Sequence, residues 1–230
     1  MTVVALRRTL ALLLLLQSGA GSAQISATAS VVSDYRVRGV SLSDGRPEPQ
    51  LTVAYDHPQG WYGGVFASGA ELRGLGHGSH VMAYGGFARA LRPGLSWEAG
   101  LSRSFYPGAS EYNYDEGFVG LAGDQMSARL SYAPDYYGYG SRTWYAEFNG
   151  GFRLAERLNF SGHAGLRHAS ASEWQTGPAL RADARLGLNY ALGQWKWQLA
   201  WVVAQRRRVQ AQYGDGTSAH AVTLGADHEF

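Results

Sequence analysis

From Ile25 onward, apolar and polar side chains alternate with a period of two. In the first such segment Ile25, Ala27, Ala29, Val31, Tyr35 and Val37 fall on one face, and Ser26, Thr28, Ser30, Asp34, Arg36 and Arg38 on the other. Successive side chains of a strand point to opposite faces, so this alternation predicts a strand with one apolar and one wet side. The pattern returns at 158–167, where Leu158, Phe160, Gly162, Ala164 and Leu166 oppose Asn159, Ser161, His163, Gly165 and Arg167. At 180–190, Arg181, Asp183, Arg185 and Asn189 oppose Leu180, Ala182, Ala184, Leu186, Leu188 and Tyr190. At 195–203, Trp195, Trp197, Leu199, Trp201 and Val203 alternate with Lys196, Gln198, Ala200 and Val202. No stretch sustains a helical period.

The connections between these segments alternate in length. Short polar turns stand at 57–60, 91–94, 122–125, 154–157 and 191–194. Between them lie longer Gly-, Ser- and Tyr-rich connections at 41–49, 71–78, 107–112, 134–141, 170–177 and 205–216. Together these predict twelve strands of about ten residues, the length with which a tilted strand crosses a bilayer. All the long loops then emerge at one end. Such asymmetry is that of a bacterial outer-membrane barrel, with both termini on the periplasmic, short-turn side. A soluble sandwich or lipocalin-like barrel is the competing fold, and it would bury its apolar face. In a closed ring of twelve strands the face bearing Leu101, Phe148, Trp195, Trp197 and Trp201 points outward instead. Aromatic residues supply two girdles: Trp61, Phe160, Tyr190, Trp195 and Phe230 toward the short turns, and Tyr35, Tyr106, Tyr132, Trp144 and Tyr145 toward the long loops. The chain ends on Phe230 in line with Ala226, Leu224 and Val222, a strand that resembles the assembly signal read by the outer-membrane barrel assembly machinery. His228 stands where that signal has an aromatic residue.

Composition narrows the class further. The chain has 230 residues, 31 of them Gly, 13% aromatic and only 17% charged, a mixture that suits an all-β protein. Residues 1–23 have a basic start at Arg7 and Arg8, an apolar run through Leu16 and the small-residue exit Gly21-Ser22-Ala23, the layout of a secretory signal peptide. That run falls short of a membrane-spanning helix. The expected organisation is a leader at 1–23 and a barrel domain at 24–230. Without Arg7 and Arg8 the basic and acidic residues balance at 18 each, so no overall field attracts nucleic acid. The chain contains no Cys, which excludes disulfides and thiolate chemistry.

The parity of the strands places twelve charged residues on the inner face: Asp34, Arg36, Arg38, Glu98, Glu116, Arg129, Glu147, Arg167, Arg181, Asp183, Arg185 and Lys196. Asp34, Arg36 and Arg38 read as an inward ladder on the first strand, ahead of a turn at Asp44-Gly45. Charges inside a barrel are tolerated where the lumen is wet or where each finds a partner. They therefore either line a pore and set its selectivity or pair across a narrow interior and close it. Approach of Arg36 and Arg38 to Arg181 and Arg185 would make a basic patch for carboxylated or phosphorylated solutes. Arg206, Arg207 and Arg208 at the last loop suit lipopolysaccharide phosphates or form a solvated charge run.

For an enzyme, Ser161 and His163 share a face but lie two residues apart on a strand, too far for a nucleophile and its base. No G-x-S-x-G occurs, and His77 and His80 lack a carboxylate partner in sequence. The expectation is a channel without cofactor, metal or catalytic residues. Its partners are membrane lipid, lipopolysaccharide and small hydrophilic solutes. A lipid or lipopolysaccharide hydrolase and a nonconducting structural or adhesive barrel remain as alternatives.

Residues 29–47, ASVVSDYRVRGVSLSDGRP, with 51–56 and 61–68, resemble the opening of the TorF-type porins, formerly the conserved hypothetical Gcw_chp proteins of proteobacteria. Phe66 and Gly69 stand where that family's pattern has Trp and Asn. The resemblance implies an outer-membrane, porin-like channel and names no ligand.

Overall fold

A computed structural model describes residues 23–72, 76–170, 180–205 and 220–230. Its sheet is a closed antiparallel barrel of twelve strands. In chain order they are β1 (Gln24–Val32), β4 (Glu48–Asp56), β5 (Trp61–Leu72), β6 (Gly76–Arg92), β7 (Leu95–Phe105), β8 (Tyr114–Gly123), β9 (Met126–Ala133), β10 (Thr143–Arg153), β11 (Leu158–Ala169), β12 (Leu180–Leu192), β13 (Trp195–Ala204) and β14 (His220–Glu229). Two further strands, β2 (Arg36–Val37) and β3 (Val40–Ser41), form a separate hairpin in the first loop. Each barrel strand pairs with the next, and β1 pairs with β14, Thr28 to Glu229 through Val32 to Gly225. Closure leaves no free sheet edge along the paired length, the route by which a β-protein satisfies its backbone in hydrocarbon.

The outer wall is apolar. Leu101 is 71% exposed, and Val65, Val119, Phe148, Leu188, Leu199, Trp201 and Leu224 are likewise exposed. The positions between them turn inward; Glu98, three residues from Leu101, is 8% exposed. Trp61, Tyr190, Trp195 and Phe230 stand exposed at the short-turn end, where Trp61 meets Phe87 edge-on at 5.0 Å. At the long-loop end Tyr132 packs against the exposed Trp144 at 4.6 Å. Three members of the expected upper girdle do not belong to it. Tyr35, Tyr106 and Tyr145 are buried inside: Tyr35 rides on the first loop, while Tyr145 shares the inward parity of Glu147 on β10 and Tyr106 continues that of Glu98 and Ser104 on β7.

Two-residue turns at Pro93-Gly94, Asp124-Gln125 and Gly193-Gln194 join strands at one end, with four-residue turns at 57–60 and 154–157. The loop expected at 71–78 is mostly sheet: β5 continues to Leu72 and β6 starts at Gly76, paired Leu72 to Gly76. Pairing there is carried by the backbone alone, without the apolar alternation that marks a strand in sequence. The leader, apart from Ala23, and Arg206–208 lie outside the described residues.

Candidate functional site

The first strand ends earlier than its alternation implies. At Ser33 the chain leaves β1: the Ser33 N–H donates to Leu224 O at 2.8 Å and the Leu224 N–H to Ser33 Oγ at 2.9 Å. Asp34, Arg36 and Arg38 are consequently not a ladder on the wall. They belong to the loop 33–47, which turns into the barrel. The Asp34 carboxylate organises this loop by accepting from Arg36 Nε, Ser41 Oγ and Ser43 Oγ. Ser43 Oγ in turn accepts the Tyr35 N–H at 2.8 Å. Short Ser and Asp side chains of this kind satisfy backbone groups that a turning chain withdraws from the sheet.

The β2–β3 hairpin turns through Arg38 (φ 50°) and Gly39 (φ 75°), and the loop turns again through Asp44 (φ 54°) and Gly45 (φ 72°). Paired left-handed residues are the geometry of a tight two-residue turn, and the Asp44-Gly45 turn forms as the sequence indicates. The hairpin tip rests on the wall at β12 and β13. A Cβ on Gly39 would stand 2.5 Å from Ala204 Cβ and 2.9 Å from Asp183 Cβ. On another wall, Arg38 Nη2 donates to Glu116 Oε1 at 2.6 Å. Its guanidinium lies 4.2 Å from the centre of the Tyr145 ring and 5.1 Å from that of Tyr136, within cation–π reach of both. Tyr35 is hydrogen-bonded to His80 Nδ1 at 2.7 Å.

An aromatic cluster adjoins the hairpin. His80 stacks on Tyr106 with ring centres 4.8 Å apart. The buried Tyr106, Ala109, Tyr114, Ala133 and Tyr136 pack together, with Tyr112 and Tyr137 against them. Tyr106 donates to Tyr137 Oη at 3.0 Å. Burial pushes the phenol pKa values of Tyr35, Tyr106 and Tyr137 well up. These phenols therefore stay neutral, and the cluster adds no anionic charge.

The inner wall carries a set of paired charges. Glu98 accepts from Tyr62 Oη at 2.9 Å and from Arg129 Nε and Nη2 at 3.0 and 2.7 Å. Arg129 also stands 4.0 Å from Glu147 and 4.5 Å from the Phe118 ring centre. Lys196 Nζ lies 3.8 Å from Asp227. Asp183 accepts from Tyr145 Oη at 3.2 and 3.3 Å and lies 3.0 Å from His163 Nε2. Arg167 and Arg181 are directly opposite across β11 and β12, as are His163 and Arg185. These four basic side chains lie on two adjacent strands, while Arg36 and Arg38 are bound to Asp34 and Glu116. The loop turns inward after Ser33 and brings the two sets near each other: the Arg38 and Arg167 guanidiniums lie 5.1 and 5.5 Å from the centre of the same Tyr136 ring, and Gly39 abuts Asp183, between Arg181 and Arg185 on β12.

Glycine makes room for the inward side chains. A Cβ on Gly165 would lie 2.1 Å from the Tyr145 hydroxyl and 2.6 Å from Asp183 Oδ2. Ser161 Oγ accepts from Asn189 at 3.0 Å, whereas His163 Nδ1 is engaged by Asn149 at 2.7 Å. Ser161 and His163 are thus committed to different partners and do not form a nucleophile–base pair. His80 is buried against Tyr35, whereas the exposed His77 has carboxylates beside it, Glu48 at 3.6 Å and Glu71 at 4.0 Å. Sequence reading missed Tyr62, Asn149, His163 and Asp227 as members of the interior network. Strand parity marks each of them as inward, though not which charge it meets.

A family model described as "Bacterial protein of unknown function (Gcw_chp)" matches residues 16–226. No curated protein sequence matches the chain. Among solved structures, a KdgM porin aligns with a TM-score of 0.54 at 12% identity, over 91% of this chain and 99% of that one. A NanC porin aligns with a TM-score of 0.55 at 14% identity, over 89% and 99%. A KdgM porin in complex with disordered oligogalacturonate aligns with a TM-score of 0.52 at 12% identity, over 91% and 99%. At these identities the likeness is one of fold.

Proposed function

We propose that this chain, which belongs to the Gcw_chp family of bacterial proteins, is an outer-membrane channel through which small hydrophilic solutes diffuse passively. The observation that carries the reading is the division of the barrel into an apolar outer wall and a charged inner one. A soluble β-protein of this size cannot leave a ring of Trp and Leu in water. A bilayer accepts that ring, and the closed sheet leaves no wall hydrogen bonds to be satisfied by lipid. Two further facts support the reading. Two of the solved barrels it resembles are porins by name, and residues 29–47 resemble the opening of the TorF-type porins.

The twelve inward or loop-borne charges, Asp34, Arg36, Arg38, Glu98, Glu116, Arg129, Glu147, Arg167, Arg181, Asp183, Arg185 and Lys196, set the electrostatics of the passage. Most of those with described partners are paired with opposite charge, so selectivity between small ions is weak. Lipopolysaccharide and phospholipid surround the wall, and Phe230 presents the C-terminal strand to the barrel assembly machinery. Purified protein in a planar bilayer should show discrete conductance steps. A protein that remains soluble and monodisperse without detergent would refute the membrane reading. Silence, even after the first loop is shortened, would refute the channel.

A further inference from the structure

The first loop crosses the space that the wall encloses. We propose that its β2–β3 hairpin is the constriction of this channel and that Arg38 is the latch holding it across the lumen. The inference rests on the channel reading above and adds to it the element that limits passage.

Dimensions come first. Twelve strands spaced about 4.8 Å apart and tilted by about 40° enclose a backbone cylinder roughly 24 Å across. Side chains reaching in from both walls halve that width. A two-stranded ribbon with its own side chains fills most of the remainder, so whatever fixes the hairpin fixes the aperture.

The hairpin is a folded unit. Asp34, Ser41, Ser43 and Arg36 bind one another inside it, and Arg36 Nη1 donates to Gly39 O at 2.9 Å. At its base, Ser33 bonds to Leu224 on β14 and the Glu71 N–H donates to Leu42 O. Beyond that base, Tyr35 holds His80 on β6, and the Arg38 side chain bonds to Glu116 on β8. Four strands separate β1 from β8 around the wall in one direction and six in the other, so this ion pair joins well-separated parts of the ring. Both partners are little exposed, with side chains at 14% and 12%. Removing the cation leaves a sequestered carboxylate without its partner and the Tyr145 face without its cation, Tyr136 keeping Arg167 at 5.5 Å, a state that favours release of the tip.

The backbone supports the assignment. Arg38 occupies a left-handed conformation (φ 50°) that a side chain with a Cβ adopts at a cost and that Gly adopts freely. The turn itself gains nothing from Arg at this position. What Arg alone supplies is a guanidinium long enough to reach Glu116 while lying between Tyr136 and Tyr145.

The test is single-channel recording of the full chain in planar bilayers. It compares the unaltered protein with Arg38→Lys, Arg38→Gln and a variant in which two glycines replace residues 36–41. Heat-modifiable gel mobility confirms that each barrel is closed. The expected result is a conductance at least about twofold higher for Arg38→Gln and for the shortened loop, with Arg38→Lys, which keeps the charge but not the planar guanidinium, between Arg38→Gln and the original. Conductance that rises only in the altered proteins, from a silent original, equally supports the latch. If the original conducts and neither Arg38→Gln nor the shortened loop exceeds it, the constriction lies elsewhere and the proposal is overturned while the channel stands. If even the shortened loop is silent, both fall.

Discussion

Glu98 holds Tyr62 and both donating nitrogens of Arg129 on one carboxylate, and this makes it the most connected acidic group among the described residues of the lower interior. Glu98→Ala takes the hydrogen-bonded carboxylate from the Arg129 guanidinium, which keeps Glu147 at 4.0 Å, and the acceptor from the Tyr62 phenol. The expected loss is about 1–3 kcal/mol of unfolding free energy in lipid vesicles, read by tryptophan fluorescence against urea. Glu98→Gln keeps an acceptor for both and should lose less. Gly39 tests a different residue-scale property. Its left-handed φ and the 2.5 Å approach to Ala204 Cβ leave no space for a side chain, so Gly39→Val should lift the hairpin from the wall at a local cost of about 1–3 kcal/mol. Because the barrel strands do not depend on that contact, the urea midpoint should stay put while protease cleavage within 33–47 accelerates. A fall of the midpoint with no gain in cleavage would show that the tip is part of the barrel's own stability. A Cβ on Gly69 would stand 1.8 Å from Glu48 Oε2, so the Glu48 carboxylate packs directly over this glycine.

At the level of strands and loops, the period of two and the alternation of short and long connections were enough to give the twelve-strand count, the closing order and the outward face. They sufficed because, in a wall one residue thick with an apolar outer face, every second side chain is apolar. The same pattern does not mark where the wall ends. After Val32 the alternation Asp34, Arg36, Arg38 continues, and in sequence it cannot be told from a strand, because a hairpin also alternates. What marks the departure is the Ser33, Asp34, Ser41 and Ser43 set, whose short oxygens bind backbone and one another. At 71–78 the failure is the opposite one. Gly76 and Gly78 read as loop, yet the sheet carries on, since above the apolar slab pairing needs no side chain. The charged positions on the wall were legible by parity. Their partners were not, because Arg129 reaches Glu98 two strands away and register across strands is a property of closure. The two faces of β13 permit a direct test. Leu199 is exposed on the outer wall between Leu188 and Leu224, and Leu199→Arg should cost about 2–4 kcal/mol in lipid vesicles. Gln198→Arg, one residue away but turned to the interior network, should cost far less. Equal costs would mean that the outer face does not meet hydrocarbon.

For the whole molecule, assembly and stability separate at Phe230. Its ring is 76% exposed, and within the barrel it touches little besides His228 at 4.6 Å. Its N–H donates to Ala27 O at 3.0 Å, a bond that any terminal residue but Pro could make. The side chain therefore adds almost nothing to the closed ring, although it completes the outward apolar row of Val222, Leu224 and Ala226 on β14. A residue that the finished barrel scarcely uses is expected to act before the barrel is finished. If Phe230 presents β14 to the assembly machinery, Phe230→Ser should fold from urea into detergent micelles with an unchanged midpoint and conduct as the original does. In Gram-negative cells the same variant should reach the outer membrane at a markedly lower level and accumulate as periplasmic degradation products. A matching loss in the micelle experiment would place the role of Phe230 in the fold, and an unchanged level in cells would remove it from assembly. Only the combination of intact folding in detergent and failed insertion in cells assigns it to recognition, because seam closure between β1 and β14 is common to both experiments and the machinery is present in one.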